Sequence, residues 1–307
     1  MKTLFFFTLL LLQILVNAQN IPSPELFNPH LNTFLNVRDF TISDTKDEAY
    51  FTIQSPDQQI SQMVMLNKNK DKWKTPILLS FCDSFNYMEP FLSPDGNRLY
   101  FASDRPLTDG ELRKDFDIWY VDRTSKNTPW SEPKNLGAPI NTKYDEFYPT
   151  LSLNQNLYFT KDAPNGLGKD DIYFAKWNGN QYLAPELLNT NINSEGYEFN
   201  AFISRNEDFI LYSKYKAKDG LGSGDLYISK KADGIWQTAE NLGENVNSKY
   251  MDYCPYYDEH TETLYFTSKR NTIKRKNFKS VSEFQDYIMN TPNGLSKIYY
   301  TKIVLNE

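Results

Sequence analysis

Five copies of one motif constrain the fold of this 307-residue chain more than any other feature of its sequence. The best-preserved copy covers residues 89–104 (EPFLSPDGNRLYFASD), in which a Ser-Pro-Asp-Gly turn joins two short apolar stretches. This pattern is typical of a β-hairpin. A tyrosine of the second stretch recurs at positions 50, 100, 158, 212 and 265, at spacings of 50, 58, 54 and 53 residues. The regular spacing predicts an array of repeated units.

Each hairpin leads into two further predicted strands. The third strand alternates apolar and aromatic residues, as expected for a β-strand, at 117–120, 171–174, 225–228 and 297–300. The fourth is predicted to open on an aromatic residue three places before Pro or Ala, namely Trp73, Trp130, Tyr182 and Trp236. A proline there favours an outer, edge strand, because it has no N–H to donate.

The N-terminus repeats the segment that follows the fourth strand. Residues 24–32 (PELFNPHLN) align without a gap on residues 185–193 (PELLNTNIN), yet no first three strands precede them. The simplest explanation is a closed ring, in which residues 24–32 supply the outer strand of the last unit. The predicted fold is therefore an all-β propeller of five four-stranded blades, closed by the N-terminal strand. The alternative, six blades, would need a unit that we do not find in the sequence.

Residues 1–18 have the pattern of an export signal, with Lys2, an apolar run over 4–16 and the small residue Ala18. We expect a periplasmic or secreted protein without a transmembrane segment. Residues 19–307 form one predicted propeller domain, with a short helical insertion near 280–290 that begins at Ser282. Removing Lys2 leaves 32 basic residues against 39 acidic ones, a net charge of −7, which disfavours nucleic-acid binding. Cys82 and Cys254 fall on non-adjacent units and are interpreted as free thiols.

Residues 92–105 (LSPDGNRLYFASDR), followed by 117–119 (DIW), resemble the WD40-like repeat of the TolB family, often called PD40. The resemblance is strong in the second unit and degenerate in the others, and together it covers nearly all of residues 19–307. It implies a bacterial envelope or secreted protein whose propeller is a binding platform. TolB differs in having six units and a separate N-terminal domain. The shared motif is a structural turn, so the resemblance transfers no functional residues.

Candidate site residues follow from the first strand of each blade, which lines the central channel of a propeller. Two positions of the repeat, each called a column and counted back from the Ser or Asp that ends this strand, contain the candidate site residues. The column four places back contains Asp39, Glu89, Tyr148, Asn200 and Cys254. The column six places back contains Val37, Tyr87, Glu146, Glu198 and Asp252. These columns predict that five carboxylates gather near one channel mouth.

The favoured hypothesis is a non-catalytic module that holds a peptide, a protein partner or a glycan at the channel mouth or the blade-top loops. Its candidate ligand-binding residues are Asp39, Tyr87, Glu89, Glu146, Tyr148, Glu198, Asn200 and Asp252. The alternative is a carbohydrate-active enzyme resembling five-bladed-propeller glycosidases, in which Asp and Glu residues of successive blades act as base or nucleophile, pKa modulator and acid. Its carboxylates would be Asp39, Glu89, Glu146, Glu198 and Asp252.

A structural role for the carboxylates, as acceptors for backbone amides that hold the blades in register, is the competing interpretation. No cofactor is predicted; a Ca²⁺ ion held by the channel carboxylates is the alternative. His30 and His260 do not combine with the two cysteines into a zinc motif. The Gly-x-Ser-x-Gly motif of serine hydrolases is absent from the sequence, and its closest string, residues 220–224, belongs to a repeated loop.

Overall fold

A computed structural model describes residues 21–28, 31, 33–70, 72–108, 110 and 115–305. The predicted export signal and His30 lie outside the described residues. The strands form five antiparallel sheets, one for each predicted blade. The first strands of the blades contact one another in ring order, and the fifth contacts the first. The prediction of an all-β, five-bladed propeller is confirmed.

The strands are numbered in chain order, beginning with the N-terminal strand β1 (Glu25–Leu26). Blade 1 contains β2 (Asn36–Ile42), β3 (Glu48–Gln54), β4 (Ser61–Asn69), β5 (Lys72–Trp73) and β6 (Ile77–Leu78). Blade 2 contains β7 (Tyr87–Leu92), β8 (Arg98–Ser103), β9 (Asp117–Asp122) and β10 (Lys134–Asn135). Blade 3 contains β11 (Asp145–Leu151), β12 (Leu157–Asp162), β13 (Asp171–Ala175) and β14 (Glu186–Leu187). Blade 4 contains β15 (Glu198–Ile203), β16 (Phe209–Tyr215), β17 (Gly224–Ala232), β18 (Ile235–Trp236) and β19 (Glu240–Asn241). Blade 5 contains β20 (Asp252–Asp258), β21 (Thr263–Ser268) and β22 (Lys297–Lys302).

Strand β1 completes blade 5 and closes the ring, as the sequence alignment predicts. It pairs antiparallel with β22 through Glu25 opposite Tyr300 and Leu26 opposite Tyr299. The backbone amide of Phe27 extends this pairing by donating to the carbonyl of Ile298 at 3.0 Å. The sheet order of blade 5 is therefore β1, β22, β21, β20 from outside to inside.

The predicted start of the fourth strands is wrong. The outer strands β6, β10, β14 and β19 are only two residues long and begin after the proline or alanine, not at the aromatic residue before it. Trp73 and Trp236 instead lie in β5 and β18, which fold back on the far ends of β4 and β17. Before β6, β10 and β14 the residue is a proline, which cannot donate to the neighbouring third strand, so the outer pairing there begins only beyond it.

One helix, α1 (Val281–Asn290), lies between β21 and β22 at the predicted insertion. Its N-cap is Ser280 rather than Ser282, and the Ser280 hydroxyl accepts a hydrogen bond from the amide of Glu283. Phe284 stays 45% exposed and packs on Phe278, with ring centroids 4.9 Å apart. In the part of the chain that the structure describes, no helix has the length and apolarity needed to cross a membrane.

Candidate functional site

Each innermost strand is interrupted at the same point by a β-bulge whose residue has a positive φ. The register shift recurs in all five blades. The five residues are Asp39 (φ 55°), Glu89 (60°), Tyr148 (50°), Asn200 (53°) and Cys254 (52°). They are the residues of the column four places back. A left-handed conformation costs a residue other than glycine roughly 1 kcal/mol or more, so neighbouring contacts must hold it in place.

Threonines of the preceding blade hold three of these bulges. The amides of Asp39, Glu89 and Asn200 donate to the hydroxyls of Thr267, Thr52 and Thr160 at 3.1, 3.2 and 3.0 Å. Each threonine lies two residues after the repeated tyrosine.

Blade 2 has Ala102 at the threonine position, so the next bulge needs another acceptor. There the amide of Tyr148 donates to Glu89 Oε2 at 2.7 Å. Glu89 therefore links blades 2 and 3 in the manner that threonine holds the bulges at Asp39, Glu89 and Asn200.

Arg38 joins the bulge residues at the channel axis. Its Nε lies 2.7 Å from Asp39 Oδ1, and its Nη2 lies 2.7 Å from Glu89 Oε1. The same Nη2 is 3.4 Å from Cys254 Sγ, and the Cys254 thiol donates to Asp39 Oδ1 at 2.8 Å. Asn200 Nδ2 donates to Glu89 Oε1 at 3.2 Å. We call Arg38, Asp39, Glu89, Asn200 and Cys254 the axial cluster.

Burial and neighbouring charge set the protonation of the axial cluster. Burial raises the pKa of Glu89 to about 7; Arg38 opposes this shift, and Asp39 adds to it. Burial, reinforced by Asp39, raises the pKa of the Cys254 thiol well above its ordinary value. The thiol is therefore protonated at neutral pH and acts as a hydrogen-bond donor, not as a nucleophile.

The carboxylates of Asp39 and Glu89 are ion-paired to the guanidinium of Arg38, at the place where the alternative of a Ca²⁺ ion was considered. Among the described residues, no three His, Cys, Asp or Glu side chains are grouped so that they could hold a metal ion. Cys82 and Cys254 are both free thiols.

The column six places back does not join the axial cluster, so the expected gathering of five carboxylates is contradicted. Glu146 accepts from the amide and hydroxyl of Thr142, and Glu198 accepts in the same way from Ser194. Asp252 accepts from the amide and hydroxyl of Ser248. These carboxylates each fasten the loop that enters their own blade.

The two apolar members of that column are packed in the interior. Val37 and Tyr87 are fully buried in hydrophobic clusters. The physical reason for the misplacement is the bulge. Its left-handed residue interrupts the alternation of side chains along the strand, so positions on either side of it do not share a face.

A cavity of about 360 Å³ lies at one channel mouth, above the axial cluster. Its wall contains the column five places back, which was not among the predicted site residues: Arg38, Met88, Phe147, Phe199 and Tyr253. Phe116 adds a ring whose centroid is 5.0 Å from that of Phe147. Amide side chains also line the cavity: Gln54, Gln58, Gln59, Asn86 and Asn200. This column is visible in the repeat alignment, where it lies between the two columns of predicted site residues.

Two more charged groups line the cavity. Asp170 lies at the end of the loop between β12 and β13, and burial together with Asp162 and Asp145 raises its pKa to about 6. Lys269 follows β21, and burial together with the positive charge of Arg38 lowers its pKa. Of the predicted ligand-binding residues, Glu89 and Asn200 line this cavity.

No protein-family model and no curated protein matches the chain. Solved structures do match it. The α-L-arabinofuranosidase PaAbf62A from Podospora anserina, in complex with cellotriose, aligns with a TM-score of 0.52 and 11% identity over 91% of this chain and 93% of that one. The GH43 endo-arabinanase from Bacillus licheniformis aligns with a TM-score of 0.50 and 11% identity over 89% and 96%.

Hydrazine synthase from Kuenenia stuttgartiensis also matches, with a TM-score of 0.51 and 12% identity over 78% of this chain but only 36% of that one. The likeness shows the fold alone. At these identities no ligand or reaction is carried over to this chain, as the range of named activities illustrates. The resemblance of blade 2 to the PD40 repeat stays a prediction.

Proposed function

We propose that the protein binds carbohydrate in the cavity at the channel mouth. The observation that carries this proposal is the composition of the wall, in which the rings of Phe116, Phe147, Phe199 and Tyr253 stand beside the amide side chains. A sugar ring has apolar C–H faces that pack on aromatic rings and hydroxyls at its edge that need donors and acceptors. Amides supply both. The cavity volume also falls within the range of about 300–1,000 Å³ that is usual for small-ligand sites.

The axial cluster gives the cavity a closed and rigid floor. Arg38 is held by two carboxylates, and Glu89 is further fixed by Tyr148 and Asn200. A floor whose hydrogen bonds are already made does not need to reorganise when a ligand arrives, which lowers the entropic cost of binding. We infer that a ligand enters from one side and presents a chain end or a short segment.

The comparisons support carbohydrate as the ligand class to test first. Two proteins of similar fold are named as an arabinofuranosidase and an endo-arabinanase. No sugar identity is carried over to this chain.

One observation favours glycoside hydrolysis as a second candidate function. Glu89 and Asp170 both line the cavity, with pKa values raised to about 7 and about 6. A glycosidase needs a carboxylic acid that is still protonated near its working pH, and a second carboxylate to act as base or nucleophile. In this mechanism Asp170, which is the more accessible of the two, is the proton donor. The ties of Glu89 to Arg38 and Tyr148 make binding without hydrolysis the leading candidate.

Calorimetric titration of the folded protein with a panel of neutral and acidic oligosaccharides tests the binding proposal. We expect Phe147→Ala and Phe199→Ala each to weaken binding about tenfold or more, because each removes a ring from the wall. The control is Phe284→Ala, which removes an exposed ring from α1. If no neutral or acidic oligosaccharide of the panel binds, the proposal is overturned.

Product analysis separates the two candidates. If hydrolysis occurs, Asp170→Asn abolishes release of reducing ends while the affinity for the intact oligosaccharide persists. A wild-type protein that binds an oligosaccharide and releases no product would reject the hydrolytic candidate.

We also propose that the protein works outside the cytoplasm, on the basis of residues 1–18. Expression of the full chain in a bacterial host, followed by N-terminal sequencing of the exported product, is expected to give Gln19 as the first residue. An uncleaved product retained in the cytoplasm would contradict this.

A further inference from the structure

Lys269 presents a positive charge to the cavity without an ionic partner. Its backbone amide donates to the carbonyl of Met251 at 2.8 Å, which fixes the residue where β21 ends. Its side chain lines the cavity and is half-buried. Its ammonium lies 6.0 Å from the ring centroid of Tyr253. Among the described residues, no carboxylate pairs with this ammonium.

Three other cations in the inner part of the propeller are ion-paired. Arg38 contacts two carboxylates of the axial cluster, Lys161 lies 3.3 Å from Glu146, and Arg270 lies 3.5 Å from Asp252. A half-buried, unpaired ammonium is unfavourable, because burial removes water and Arg38 adds repulsion. An anion bound in the cavity would relieve both costs.

We propose that the carbohydrate ligand is acidic, and that Lys269 binds the carboxylate of a uronic acid residue. This inference rests on the proposed carbohydrate-binding function. A monoanion fits the cavity better than a dianion such as a phosphate ester. Of the two cations among the described residues that line the cavity, only Lys269 lacks a carboxylate partner, since the guanidinium of Arg38 is already engaged by Asp39 and Glu89. Asp170 lies on blade 3 and Lys269 on blade 5, so the ligand carboxylate is directed to the side of the cavity away from Asp170.

Blade 4 supplies a control of the same charge. Lys216 follows β16, as Lys269 follows β21, and lies one place beyond the equivalent residue in the strand register. Lys216 is exposed, and it is absent from the wall of the cavity. A substitution there changes the net charge of the protein by the same amount without touching the site.

The experiment compares oligouronides with their methyl esters by calorimetric titration at about 50 mM salt. We use oligogalacturonate, oligoglucuronate and oligomannuronate, each with its esterified counterpart. We expect the wild-type protein to bind one acidic oligosaccharide at least tenfold more tightly than its ester. Lys269→Met should abolish that preference while keeping affinity for the ester. Lys269→Arg should retain most of the preference, and Lys216→Met should leave it unchanged.

The outcomes separate this inference from the function on which it rests. Equal affinity for acid and ester, or a preference that survives in Lys269→Met, overturns the inference and leaves carbohydrate binding intact. If the protein binds only neutral oligosaccharides, the inference is likewise overturned and carbohydrate binding remains. If neither acidic nor neutral oligosaccharides bind, the inference and the proposed function fall together.

Discussion

Glu89 accepts a hydrogen bond from the backbone amide of Tyr148, 2.7 Å from its Oε2 and across the interface between blades 2 and 3. The other oxygen of the same carboxylate accepts from Arg38 and Asn200. A side chain that lines the cavity at the channel mouth thus also holds two blades in register. The structural interpretation of the channel carboxylates therefore applies to a residue of the proposed binding site.

The raised pKa of Glu89 predicts a pH dependence of stability. Its folded pKa of about 7 lies above the ordinary 4.5, so between these values the folded state binds more protons than the unfolded state. Stability is therefore lost as the pH rises through this window. We expect the wild-type protein to lose about 1–3 kcal/mol more than Glu89→Gln between pH 4.5 and pH 8. Urea unfolding over a pH series measures this; parallel curves for the two proteins would contradict it.

The threonines behind the bulges make a second prediction. Thr160→Val keeps the side-chain shape but leaves the buried amide of Asn200 without its acceptor. An unsatisfied buried donor costs about 1–3 kcal/mol, and we expect a loss of that size in the free energy of unfolding. The exposed Thr190→Val is the control and should change stability by less than about 0.5 kcal/mol. Equal effects of the two substitutions would show that the bulge does not depend on this contact.

The architecture was predictable because the hairpin motif occurs five times. A strand pattern recognised in one copy can therefore be checked against the other four. Ring closure was predictable for the same reason, since residues 24–32 match residues 185–193. The first and last residues of the outer strands were not predictable. Pairing at β6 or β10 depends on where the third strand still has free backbone groups, and the aromatic residue before the proline does not report this.

The candidate site was predicted only in part. Asp39 and Glu89 do meet at the axis, but the sequence pattern does not indicate that a bulge places neighbouring columns in different surroundings. A non-glycine residue with positive φ has no reliable sequence signature, because contacts elsewhere compensate its cost. Arg38 was not predictable as a site residue because it is the only charged residue in its column, which also contains Met88 and Phe147. Its pairing with two carboxylates is a property of the assembled ring.

The cross-strand ion pair of blade 3 gives a third prediction. Glu146 is fully buried, and Lys161 Nζ lies 3.3 Å from its Oε1. Lys161→Met would leave the carboxylate without its counter-charge, and we expect a loss of about 3–5 kcal/mol. Lys134→Met, which breaks the exposed pair with Asp122, should cost less than about 1 kcal/mol. Chemical unfolding of both variants measures the difference, and a Lys161→Met protein as stable as the wild type would reject a role for the pair.

Closure of the ring by the N-terminal segment gives the last prediction. The ring of Phe27 meets Tyr265 of blade 5 and Phe40 and Trp73 of blade 1, at centroid distances of 5.4, 4.7 and 5.9 Å. It therefore bridges the two blades between which the chain must close. We expect Phe27→Ala to lower the free energy of unfolding by about 2–4 kcal/mol, because it removes a packed ring and leaves a cavity at this junction.

Phe284→Ala is the matched control, because the ring of Phe284 is 45% exposed on α1, and it should lower the free energy of unfolding by less than about 1 kcal/mol. Urea unfolding compares the two variants. If Phe27→Ala is no more harmful than the control, closure by β1 contributes little to the stability of the propeller, and the remaining sheet of blade 5 must hold the ring by itself.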